Sequence, residues 1–383
     1  MTVTLTARNA DIETAKAILV SQRDARWDRV VPANQLRYEG GRLIIAGHGP
    51  ERLEGDTPDE ARFVPGDLAL DPSEGFESQL CDVLKIPRPF FRRHRDGHIG
   101  QLDQMVSYWL GTRTNNVLVR GFTDGDGGGI ARAFLSDGYG PLEHLDYLVA
   151  IVQAVAATGV PYEFRAINLT EDNFRLDVVS PAVTALAPAL LEGYVSPFTG
   201  QRGADLPVLR AGVRFENSEV GRGKLKETPF AEVLVCTNGM TMTRFAEDMA
   251  ITRIHRGRRL PAGAISWSDA TRKAQLEALR AEMTDATRAF FDPTWFQAKV
   301  AEIEAEAVRP VEAGNVVEII AKVSETLSFS DEERDGILAA FIEGQQLTNG
   351  AVVQAITAHA QRVTDPTRAA LLEDKALDAL ALV

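Results

Sequence analysis

The chain has 383 residues, 45% of them hydrophobic and 25% charged, with a net charge of −13. That is enough for one large domain or two to three smaller ones, with a charge content ordinary for a soluble protein. No apolar run approaches a membrane span, no signal segment precedes the first helix, and Cys81 and Cys236 are too few for a disulfide framework or a four-ligand zinc site, so a cytoplasmic chain without membrane contact is expected.

The charge is unevenly placed. Residues 202–260 hold 11 Lys and Arg against 7 Asp and Glu, and residues 81–130 hold 7 against 5. The remaining stretches are acidic, so these two are where a polyanion could sit.

Three regions are expected: a mixed one over 1–110, a central α+β core over 111–262 and a helical one over 263–383. In the first, apolar Ile12, Ala15, Ile18 and Leu19 predict a helix to about Gln22. GGRLIIAG reads as a strand, and Gly47–Asp71 as surface loop. Ser73 and Glu74 start a helix through Cys81, and a further helix runs through Leu102, Val106, Trp109 and Leu110. Between them lies IPRPFFRRHRDGHIG, where Arg92, Arg93 and Arg95 stand beside Phe90 and Phe91. Rings beside cations suit single-strand binding, although the same pattern fits core phenylalanines with surface arginines.

In the central region NNVLVRGF and IARAFLS are strands joined by the Gly-rich TDGDGGG. Pro141 is placed in the first turn of a helix whose apolar stripe is Leu142, Leu145, Leu148, Val149, Val152 and Val155. YEFRAINL and FRLDVVS are two more strands, and 181–207 reads as irregular. In the next strand Leu209, Ala211, Val213 and Phe215 alternate with Arg210, Arg214 and Glu216. Lys224 and Lys226 follow in a Gly-rich turn, and AEVLVCTNG is a further strand. The run TRIHRGRR contributes Arg253, His255, Arg256, Arg258 and Arg259, either to phosphates or to a solvated loop. From Ser266 the chain is helical, with starts at Asp292-Pro293, Asn315, the Ser330/Glu333 capping box, Thr348 and Asp365-Pro366.

The residues exclude some chemistry. DGDGGG lacks the Lys-Ser/Thr that ends a P-loop and joins strand to strand, so no nucleotide cofactor is expected. No Gly-x-Ser-x-Gly elbow or metal-ligand spacing occurs, and Cys236 reads as a packing residue.

RAFLSDGYGPLEHLDYL, ENSEVGRGKL, VCTNGM, RIHRG and LTNGAVVQAITAHAQ together resemble the phage/plasmid-like protein family, a domain of unknown function numbered 932. That resemblance implies a mobile-element context and no established chemistry. The order hairpin, helix, meander is also similar to single-strand annealing proteins of the RecT and Red-beta kind, where a charged groove holds single-stranded DNA. The combined expectation is a non-enzymatic α+β protein that binds single-stranded DNA, promotes annealing and assembles into a ring or filament. Arg92, Arg93, Arg95, Arg132, Arg210, Arg214, Lys224, Lys226 and the TRIHRGRR cations would form one track. The rivals are an accessory protein acting through protein contacts and a metal-dependent nuclease using Asp137 or Glu219.

Overall fold

A computed structural model describes residues 4–54, 62–187, 208–234, 241–245, 249–253, 269–364 and 366–383. The chain opens with β1 (Ala7–Ala10), α1 (Ile12–Ala25), β2 (Arg26–Pro32), β3 (Leu36–Glu39) and β4 (Arg42–Ile45). The small hairpin β5 (Glu51–Glu54) and β6 (Arg62–Pro65) comes next, then β7 (Leu68–Pro72). Three helices follow, α2 (Glu74–Leu84), α3 (Arg88–Gly97) and α4 (Ile99–Gly111), and then the hairpin β8 (Asn116–Thr123) and β9 (Gly129–Ser136). Helix α5 (His144–Ala157) leads into the meander β10 (Glu163–Leu169), β11 (Phe174–Leu186), β12 (Val208–Asn217), β13 (Leu225–Leu234), β14 (Thr241–Phe245) and β15 (Ile251–Arg253). Helices α6 (Asp269–Phe290), α7 (Pro293–Ala307), α8 (Val316–Leu327), α9 (Asp331–Gly344), α10 (Asn349–Ala360) and α11 (Pro366–Ala376) complete it.

The fold is mixed α+β, as expected. One sheet has the order β2-β8-β9-β7-β4-β3, with β7 and β9 parallel. The second has the order β1-β10-β11-β12-β13-β14, antiparallel throughout, with β15 on β13. Among the described residues no helix is long and apolar enough to cross a membrane.

Buried apolar residues form two groups. One joins the first sheet to α2, α3 and α4 through Phe76, Leu80, Phe91, Leu102, Val106 and Phe134. The other joins the meander to α5 and the C-terminal helices through Tyr147, Ile151, Phe174, Phe215, Phe296 and Ile356. The hairpin β8–β9 therefore packs with the elements before residue 110, while α5 packs on the meander.

Local chemistry explains many element ends. Ser73 caps α2 by accepting from Phe76 N, and Asp292 caps α7 by accepting from Trp295 N. Ser330 and Glu333 form the reciprocal capping box of α9. The β8–β9 turn has Gly125 and Gly127 at positive φ, with Asp124 Oδ1 accepting from Asp126 N and Gly128 N.

Three expectations are corrected. The stretch 47–71 contains β5, β6 and the start of β7, because backbone pairing forms despite its Pro and Gly content. Helix α5 starts at His144, after Pro141, and its buried face is Tyr147, Leu148, Ile151, Ala154 and Val155; Val149 is exposed. Strand β11 continues to Leu186, carrying extended structure into the stretch read as irregular; the rest of it, 188–207, lies outside the described residues.

Candidate nucleic-acid interface

The ENSEVGRGKL segment sits where the two sheets meet. Asn217, Ser218, Glu219 and Val220 are all buried there. Glu219 accepts from Arg132 Nη1 at 3.0 Å through Oε2 and from the His144 backbone N–H at 2.5 Å through Oε1. Arg120, 1% exposed, donates to the Glu219 carbonyl at 2.6 Å and pairs with Asp28 at 2.9 Å and Glu143 at 2.7 Å. Arg132 also lies 4.5 Å from the centre of the Phe122 ring. Burial opposes ionisation of Glu219, but His144, Arg132, Arg120 and the donated N–H outweigh it and hold the carboxyl at about 2. Arg132 thus braces hairpin to meander instead of facing a groove. A buried guanidinium needs a carboxylate beside it. Both Glu219 oxygens are committed, and Asp137 is exposed in the turn after β9, outside this network.

The polar face of the meander is a ladder of ion pairs. Strand register places Asn168, Arg175, Glu216, Lys226 and Thr252 in one row, and Asp177, Arg214 and Thr228 in the next. Arg214 binds Asp177 through two bonds of 2.7 and 2.8 Å. Arg210 lies 3.6 Å from Glu163 and 3.7 Å from Glu232, and Glu232 also takes two bonds from Arg165. Arg253 pairs with Glu282 of α6. The expected row of outward cations is present, but carboxylates on neighbouring elements neutralise Arg210, Arg214 and Arg253. His255, Arg256, Arg258 and Arg259 lie outside the described residues.

Helix α3 has a different character. From Lys85 to His98 the chain carries five Lys and Arg, two His and one acidic side chain, Asp96. The helical turn separates the paired phenylalanines: Phe91 is 1% exposed and in the core, while Phe90 is 45% exposed. Phe90 and Trp109, itself 46% exposed, line one groove of about 670 Å³ whose floor is Leu84, Ile86 and Met105. The rings of Phe90 and His94 lie 4.1 Å apart, and those of Tyr108 and Trp109 lie 5.3 Å apart. Arg92 and Arg93 are exposed on the same helix; Arg92 approaches Glu74 only to 3.6 Å. Arg95 is half-buried and bound to Glu77 at 2.6 Å, which makes it a packing residue.

On its other side α3 faces the Gly-rich loop. Arg88 and Arg92 line a small cavity of about 150 Å³ together with Arg222, Glu171 and Asp172. Lys224 and Lys226 line the next cleft, of about 560 Å³, with Arg175, Asn168 and Asn173. The structure therefore brings Arg92 to the loop that carries Lys224, while Arg132 is buried behind that loop on Glu219 and Arg210 and Arg214 are held in ion pairs on the meander. Arg88, Arg222 and Trp109 were missed as site residues. The signal for Arg222 was its place in GRGK, two positions before Lys224.

No family model, curated protein or solved structure matches this chain. The motifs RAFLSDGYGPLEHLDYL and ENSEVGRGKL belong to the described geometry. These two, around Arg132 and Glu219, meet at the buried junction.

Proposed function

We propose that the protein binds single-stranded DNA, without nucleotide hydrolysis, on the α3–α4 face, and that it promotes strand annealing in a phage or plasmid setting. The observation that carries this reading is Phe90 and Trp109 exposed on one groove whose lining also includes Lys85 and Arg113. Large aromatic rings left half in water are costly unless something covers them, and every base has a face that can do so. Stacking contributes about 1–3 kcal/mol per base, independent of sequence, and Lys85 and Arg113 on the groove neutralise phosphates. In a chain of net charge −13 the attraction is local. Binding is therefore short-ranged and salt-sensitive. Assembly into a ring or filament belongs to the same proposal.

The test is anisotropy of a labelled dT oligonucleotide at low and high salt. Binding that weakens steeply with salt, and is lost in the Phe90→Ala/Trp109→Ala double variant, supports the reading. Absence of binding at low salt ends it.

The apolar floor of the groove favours a second reading, an amphipathic segment of a partner protein. That partner would bind with little salt dependence and would leave free oligonucleotide unbound.

A further inference from the structure

We propose that the bound strand does not end at α3 but continues over Arg222 to the Lys224–Lys226 cleft, so that helix and meander share one phosphate path. This inference rests on the preceding reading and extends it to a second surface.

Shared walls carry the argument. Arg88 and Arg92 from α3 and Arg222 from the loop line the same cavity, with α2 forming a further wall through Glu74, Gly75 and Glu77. Gly223, Lys224 and Lys226 line the adjoining cleft, and the turn Thr170–Asn173 divides the two. The loop is held in place by close packing. Gly221 has φ +73°, and a Cβ there would come within 2.7 Å of Leu135 on the hairpin. Gln79 of α2 donates to the Val220 carbonyl at 2.6 Å, and Ser218 Oγ accepts from Arg222 N at 3.1 Å. Arg222 and Lys224 are thereby exposed on a fixed support next to α3.

Carboxylates along the path do not close it. Glu74 faces Arg92 at 3.6 Å with both side chains more than half exposed, and Asp172 faces Arg222 at 2.8 Å with both about one-third exposed. The exposed Arg92–Glu74 pair contributes only about 0–1 kcal/mol, so a phosphate can replace its carboxylate; the closer Arg222–Asp172 pair is two-thirds enclosed and yields less readily. Glu77, Glu171 and Glu216 also line the two clefts; the first sets four carboxylates against three guanidinium groups, and the surplus of cations lies in the Lys224–Lys226 cleft. Lys224 is exposed and makes no ion pair among the described residues. On Arg210 and Arg214, by contrast, Glu232 and Asp177 are enclosed with the guanidinium groups, and exchange would strand a buried charge.

The experiment compares the wild-type chain with Lys224→Ala/Lys226→Ala across dT oligonucleotides of increasing length and several salt concentrations. Each phosphate contact on a single strand contributes a slope of about 0.7 in log affinity against log salt. The double variant should lose roughly 1.4 of slope. It should also lose the affinity gained on lengthening the oligonucleotide, while short oligonucleotides bind as before. Lys224→Arg/Lys226→Arg should restore both. Wild-type slope and length dependence in the alanine variant would overturn the extension and leave the α3 site standing. Loss of slope in the lysine variant with no effect of Phe90→Ala/Trp109→Ala would keep the cleft and remove the α3 site.

Discussion

Arg132 of β9 and Glu219 of the loop after β12 form an ion pair at 3.0 Å with both side chains 7% exposed. The pair ties the hairpin sheet to the meander. Breaking a buried pair by removing one partner strands the other charge and costs roughly 3–5 kcal/mol. Glu219→Gln should therefore lower unfolding stability by that order in urea titration at pH 7. Because the folded carboxyl titrates near 2, below its usual 4.5, its contribution is complete above about 4.5 and is lost as pH falls toward 2. The loss of stability in that window should be shallower in the variant.

Phe90 and Phe91 are adjacent and should behave oppositely. Phe91→Ala opens a core cavity and should cost about 3–5 kcal/mol of stability. Phe90→Ala should leave stability nearly unchanged and weaken oligonucleotide binding by about 5- to 150-fold, the equivalent of one lost base stack. Thermal melts and anisotropy on the two variants check this directly.

Glu227 stands on the core face of β13, opposite Phe215 on β12 and Ile251 on β15. It is buried, and among the described residues neither of its oxygens nor the nearby Tyr147 hydroxyl has a hydrogen-bond partner. Burial pushes its pKa up to about 7, with Arg253 opposing and Glu282 assisting. The folded protein holds this proton more tightly than the unfolded chain does. Stability should therefore fall as pH rises from about 4.5 to about 7, by an order of 3 kcal/mol, and then level off. Glu227→Gln should remove that decline and be the more stable chain at pH 8, as read from urea midpoints at pH 5 and pH 8.

Arg214→Ala should separate the ladder from the path. It leaves Asp177, only 15% exposed, without its two-bond partner and should destabilise the fold. The salt slope of DNA binding should stay at the wild-type value in the folded protein.

Much of the fold is legible in the chain. The Ser330/Glu333 box and the Asp292-Pro293 start act through hydrogen bonds within one turn, so neighbouring residues suffice to read them. The alternation of Leu209, Ala211, Val213 and Phe215 correctly gives a core face, with Arg210 and Arg214 on the other. The fate of those arginines was not legible. It depends on register with Asp177 and Glu232, which lie on other strands, and alternation along one strand carries no register. The division between Phe90 and Phe91 was equally hidden, because it depends on the phase of α3 against the sheet. Composition did mark α3 as a place where rings and cations coincide, and that signal leads to the candidate groove. The cationic run from His255 to Arg259 lies outside the described residues.

Base stacking on Phe90 and Trp109, in the groove between α3 and α4, is what the proposed DNA binding depends on. The most direct measurement is tryptophan emission during titration with a dT oligonucleotide at low salt, comparing the wild type with Trp109→Phe. The account predicts saturable quenching in the wild type that largely disappears in Trp109→Phe and reverses on adding salt. Emission unchanged by oligonucleotide, or quenching that survives intact in Trp109→Phe, would contradict it.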